Sequence, residues 1–83
     1  MTALNFLSVQ DRLAALDIHI ALSNASIAEQ SVRIAALKAE GRSTAGAANR
    51  LSDMMEILDG LYQERHRLIA WRWRSDEDGE VAA

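Results

Sequence analysis

Apolar residues return every seven positions from Phe6 through Leu13, Ile20 and Ile27 to Ile34. Val9, Leu16, Ser23, Gln30 and Leu37 fill the companion position three residues on. This is the a/d seam of a heptad repeat, broken by two polar residues and by no proline. Steps of three and four keep side chains on one face of an α-helix, whereas a strand would alternate them between faces. Composition points the same way. The 83 residues include no Pro, no Cys and 4 Gly, and aromatics make up 5%. Much of the 49% hydrophobic share is alanine, which favours helix and buries little area. These features argue against a β-sandwich, a zinc ribbon and a doubly wound α/β enzyme. The lack of cysteine removes disulfides and thiolate metal sites.

One interior segment reads as a turn, Glu40-Gly41-Arg42-Ser43-Thr44. Gly41 can take the left-handed conformation that ends a helix, and Ser43 can accept from the free amides that open the next one. A first helix is therefore expected over about 5–40, a turn at 41–43, and a second helix over about 44–73. Ser8 with Asp11 resembles a capping box for the first helix, while Thr2 or Asn5 would cap an earlier start. Residues 75–83, which include Ser75-Asp76-Glu77-Asp78-Gly79-Glu80, have no apolar face and read as an acidic disordered tail beyond a single domain of 1–74. The second helix has its own seam in Ala47, Leu51, Met54, Leu58, Leu61, Arg65 and Leu68. A short connection makes the helices antiparallel neighbours. Folding about the turn sets Ile34 near Leu51, Ile27 near Leu58, Leu16 near Leu68, and Ile20 near Arg65. The expected fold is all-α: an antiparallel, coiled-coil-like two-helix hairpin.

A lone hairpin encloses little apolar area for the backbone entropy it loses. The chain carries further apolar stripes at helical spacing. One runs through Ala14, Ile18, Ala21, Ala25, Ala28, Val32, Ala35 and Ala39. Another runs through Ala48, Met55, Tyr62 and Ile69. Alanine on a solvated face is a sufficient account of the small residues, but it would leave Ile18, Val32, Met55, Tyr62 and Ile69 exposed. The expectation is self-association into a four-helix bundle, most simply a homodimer, with a tetramer as the alternative. Its interface would be Ile18, Ala21, Ala25, Ala28, Val32, Met55, Tyr62 and Ile69. Ser23 and Gln30 either fix the register of the seam or reach solvent or a backbone carbonyl at its edge. Gly60 lies inside the second helix, with no packing reason evident.

Groups able to do chemistry are few. His19 and His66 fall in the open half of the hairpin with Asp17 and Glu64 nearby. The spacings Asp17-x-His19 and Glu64-x-His66 put the members of each pair on different faces, unlike the Glu-x-x-His of a di-metal bundle. Ser23, Ser26 and Ser31 have no base at suitable spacing, and no Gly-rich loop follows a strand. No metal, cofactor or enzymatic activity is expected. The segment Arg65 to Arg74 holds four of the nine basic residues and both tryptophans. Arg65, Arg67, Trp71, Arg72, Trp73 and Arg74 could contact nucleic acid or a membrane interface. Alternatively, the tryptophans close the open end against Leu4, Phe6, Leu7 and Val9, or face a protein partner. Net charge of −3 creates no global field for nucleic acid. The first residues lack the basic start and apolar run of a signal peptide, so the expected location is cytoplasmic.

The positions His19-Ile20, Ile27, Gln30, Ile34, Leu37, Gly41, Thr44, Ala47, Leu51, Met54 and Leu58 resemble a group of short, uncharacterised bacterial proteins, most familiar from α-proteobacteria. These look like helical hairpins with a Gly-x-x-Thr turn. The resemblance covers roughly half the chain, implies the same fold, and transfers no functional residue. Three function classes follow from the residues. The first is a small oligomeric interaction or scaffold protein with a protein partner not identified by the sequence. The second is a nucleic-acid-associated regulator acting through the Arg/Trp segment. The third is peripheral membrane attachment through Trp71 and Trp73.

Overall fold

The computed structural model describes the backbone of residues 2–82 and the side chains of 9–74. Two helices, α1 (Thr2–Ala39) and α2 (Ala45–Ala82), form the fold, with no strand among the described residues. α1 starts earlier than residue 5, which places Ser8 and Asp11 inside the helix rather than at its cap. Nothing in Leu4 to Leu7 opposes helix, so the backbone runs on to Thr2. α2 likewise continues past the expected end near 73. The stretch contains no proline and a single glycine, so hydrogen-bonded turns can continue through it. The side chains of 75–83 lie outside the described residues.

The turn follows from Gly41. Its φ is +69°, the left-handed conformation that spares only glycine a Cβ clash. Arg42 N–H then donates to Leu37 O at 2.9 Å, and Gly41 N–H to Lys38 O at 3.1 Å. This 6→1 and 5→2 pair is a Schellman cap, and it ties up carbonyls that the end of α1 would leave open. Across the turn, Thr44 O accepts from Ala48 N–H at 2.8 Å, which makes Thr44 the residue that opens α2. Ser43 Oγ accepts from Ala45 N–H at a long 3.4 Å.

The helices pack side by side and antiparallel, giving a rod of 66 × 15 × 13 Å. Its radius of gyration is 18.9 Å, against about 12 Å for a compact chain of this length. Each helix has one intramolecular neighbour. Among the described residues the buried apolar side chains are Val9, Leu13, Ile20 and Leu68. Leu16 and Ile69 pack against the cluster of Val9, Leu13 and Leu68 near the open end, in the register that sets Leu16 beside Leu68. The remaining apolar seam residues among the described side chains, such as Ile27, Ile34, Leu51 and Leu58, are half-buried.

Polar groups fix the alignment. Gln30 is 7% exposed, and its Nε2 donates to Ala47 O at 3.0 Å. Of the two roles open to this seam residue, it fills the one that reaches a backbone carbonyl, and that carbonyl lies on the other helix. Arg65 occupies a seam position on α2, yet its Nε extends to Asp17 Oδ1 at 2.8 Å. A long stem lets the guanidinium leave the seam for the hairpin edge. Arg12 Nη2 meets Glu64 Oε1 at 3.1 Å on the opposite edge.

Candidate interaction surface

α1 and α2 differ on the sides turned away from each other. At about 100° per residue, the stripe Ile18, Ala25, Val32 lies nearly opposite the seam of α1. Ala21 and Ala28 flank it on one side and Leu22 on the other, and all six are exposed. Ile18 is 61%, Leu22 62% and Val32 70% exposed. The corresponding outer face of α2 holds Ser52, Asp53, Glu56, Asp59, Gln63 and His66, all exposed and polar. Such a face suits water. An apolar outer face does not, and a helix apolar all round is ordinarily one that is covered.

The expected interface residues divide between different surfaces. Ile18, Ala21, Ala25, Ala28 and Val32 share the outer face of α1. Met55 and Tyr62 are exposed on a flank of α2, beside the seam rather than opposite it. Ile69 continues that flank but is half-buried, because it packs on the cluster of Val9, Leu13 and Leu68. Its exposure is therefore smaller than that of Met55 and Tyr62. Leu22 was not among the expected residues. From Ile18 a helical stripe can step three or four positions, and the step of four reaches Leu22. On the other flank, a groove of about 240 Å³ runs between the helices, lined by His19, Leu22, Ser23, Ser26, Met54 and Ile57.

The Arg/Trp segment is only partly available. Arg65 is held by Asp17, and Arg67 Nη1 lies 3.5 Å from Glu64 Oε2. Arg72 is half-buried, while Arg74 is exposed. Trp73 is 69% exposed and Trp71 is exposed too, so neither indole is sequestered at the end of the rod. Leu4, Phe6 and Leu7, their expected apolar partners, lie outside the residues whose side chains are described.

His19 and His66 are both exposed. No group of three or more His, Cys, Asp or Glu that could hold a metal occurs among the described residues. No helix among them is long and apolar enough to cross a membrane. Fold and surface together define a class: a two-helix antiparallel hairpin with an apolar outer face on one helix only. No family model, curated protein or solved structure matches the chain.

Proposed function

We propose that the protein is a non-enzymatic, self-associating helical module, most simply a homodimer of four helices that serves as a scaffold for a protein partner. The observation that carries this reading is the exposure of Ile18, Leu22 and Val32 on the face of α1 opposite the seam. A helix that is apolar on two opposite faces needs two neighbours, and the hairpin supplies one. Covering this face removes apolar surface from water, at about 25 cal/mol per Å². Cytoplasmic location and the absence of a cofactor belong to the same reading.

Sedimentation equilibrium at micromolar concentration tests it. The dimer would have twice the 9.2 kDa chain mass, and a folded monomer at all concentrations overturns the reading. Exposed Trp73 and Arg74 favour a second reading, in which this end of α2 docks on nucleic acid or a membrane surface. A mobility shift of single-stranded nucleic acid at low salt, lost on Trp73→Ala, would support the nucleic-acid form. Liposome binding lost on truncation after Ala70 would support the membrane form.

A further inference from the structure

We propose that two copies pair through the outer face of α1, antiparallel, about a twofold axis at Ala25. The inference rests on the self-association proposed above and names its surface and its geometry.

The central stripe of this face is symmetric about Ala25. Ile18 and Val32 stand seven residues to either side on the same helical stripe. In an antiparallel pair centred on Ala25, Ile18 meets Val32 of the second copy and Ala25 meets itself. On one border Ala21 meets Ala28 of the second copy. An isologous contact of this kind requires such self-complementarity, with residue i on j and j on i. Alanine at the centre lets the helices approach to the short end of the usual 8–10 Å axial separation.

Charge selects the direction. A parallel pair would stack Asp11 on Asp11 and Glu29 on Glu29, each an exposed carboxylate facing its own copy. The antiparallel pair sets Asp11 near Lys38 of the second copy, and Glu29 along Leu22 and near His19. Like carboxylates are separated, and Asp11 approaches the opposite charge of Lys38. From Asp11 to Ala39 the face is about 42 Å long. Half the girth of a helix about 10 Å across over that length is on the order of 700 Å². This is close to the roughly 800 Å² that each partner of a standard interface buries. The second copy is the occupant because the stripe Ile18, Ala25 and Val32 is symmetric about Ala25, and because the antiparallel pair brings Asp11 toward Lys38.

The cysteine-free chain gives a direct test. Ala25→Cys places one thiol on the proposed axis, where two Cα atoms within about 7 Å permit a disulfide. Under mild oxidation the full chain should convert to covalent dimer, whereas Ser52→Cys on the polar face of α2 should not. In parallel, Val32→Glu should raise the dimer dissociation constant at least about a hundredfold by sedimentation, by putting two unpaired carboxylates into an apolar contact. Circular dichroism of this variant should remain helical, since Val32 touches no part of the hairpin core. A dimer that survives Val32→Glu, together with an Ala25→Cys chain that does not crosslink, overturns the α1 interface and leaves self-association standing. Wild-type chain that sediments as a monomer overturns both. Crosslinking through Tyr62→Cys in place of Ala25→Cys would assign the contact to the flank of α2 and overturn the α1 pairing.

Discussion

Gly41 and Gln30 show how much a single side chain decides in a fold with one turn. At Gly41 a Cβ would meet nothing within 4 Å. The constraint is therefore the backbone: φ of +69° is costly for any L-residue with a Cβ. Gly41→Ala should lower stability by about 1–2 kcal/mol in urea unfolding without changing helix content, because strain and not a clash is introduced. Gln30 poses a different problem. Its amide is buried, but the carbonyl it reaches, Ala47 O, is also positioned to accept within α2, so losing the side chain leaves no orphaned acceptor. Gln30→Ala should cost about 1–2 kcal/mol through lost packing and the lost hydrogen bond. Gln30→Leu, which restores the volume, should keep or exceed wild-type stability. If Leu were as damaging as Ala, the hydrogen bond would outweigh the packing, and urea midpoints of the two variants separate these cases.

Among the elements, α1 carries the second apolar face and α2 the polar one. The ion pairs between the helices, Arg12 with Glu64 and Asp17 with Arg65, are largely exposed. Pairs of this kind contribute at most about 1 kcal/mol each and weaken with salt, so they align the helices rather than hold them together. Gly60 is exposed within α2, and a Cβ there would meet nothing within 4 Å. Neither a turn nor a close approach within the hairpin requires it. Gly60→Ala should therefore raise stability by about 0.5–1 kcal/mol, read as a higher thermal midpoint. A drop in dimer affinity without that gain would show that a partner's backbone approaches α2 at this point.

For the whole molecule, a rod whose thickness is that of one helix pair cannot build a deep core. Under the proposed self-association its stability is shared with the element that covers α1. If the covering element is a second copy, the thermal midpoint depends on protein concentration. A tenfold increase should raise it by about 3 °C, from roughly 1.4 kcal/mol of mass action spread over a dimer-sized unfolding entropy. A midpoint independent of concentration would place the burden on the hairpin alone. The Arg/Trp end would not alter this dependence, since Trp71 and Trp73 lie off the outer face of α1.

Helix content, the single turn and the intramolecular seam are legible in the sequence because each depends on local spacing. A seven-residue period selects one helical face, and a glycine between two periodic segments marks the left-handed cap. Residues at the margin of a face are not legible in this way. Ile69 borders the seam of α2, and whether it turns inward depends on how the helices are rotated against each other. Leu22 and Ala21 are alternative steps from Ile18, and spacing cannot choose between them. The partner of Arg65 is set by the long stem of arginine and the position of Asp17, forty-eight residues away. The absence of proline, the heptads and Gly41 thus determined a two-helix hairpin by short-range geometry. Only the tertiary structure decided which apolar residues that hairpin consumes and which it leaves on the surface, because burial depends on helix rotation and register, which no local pattern specifies.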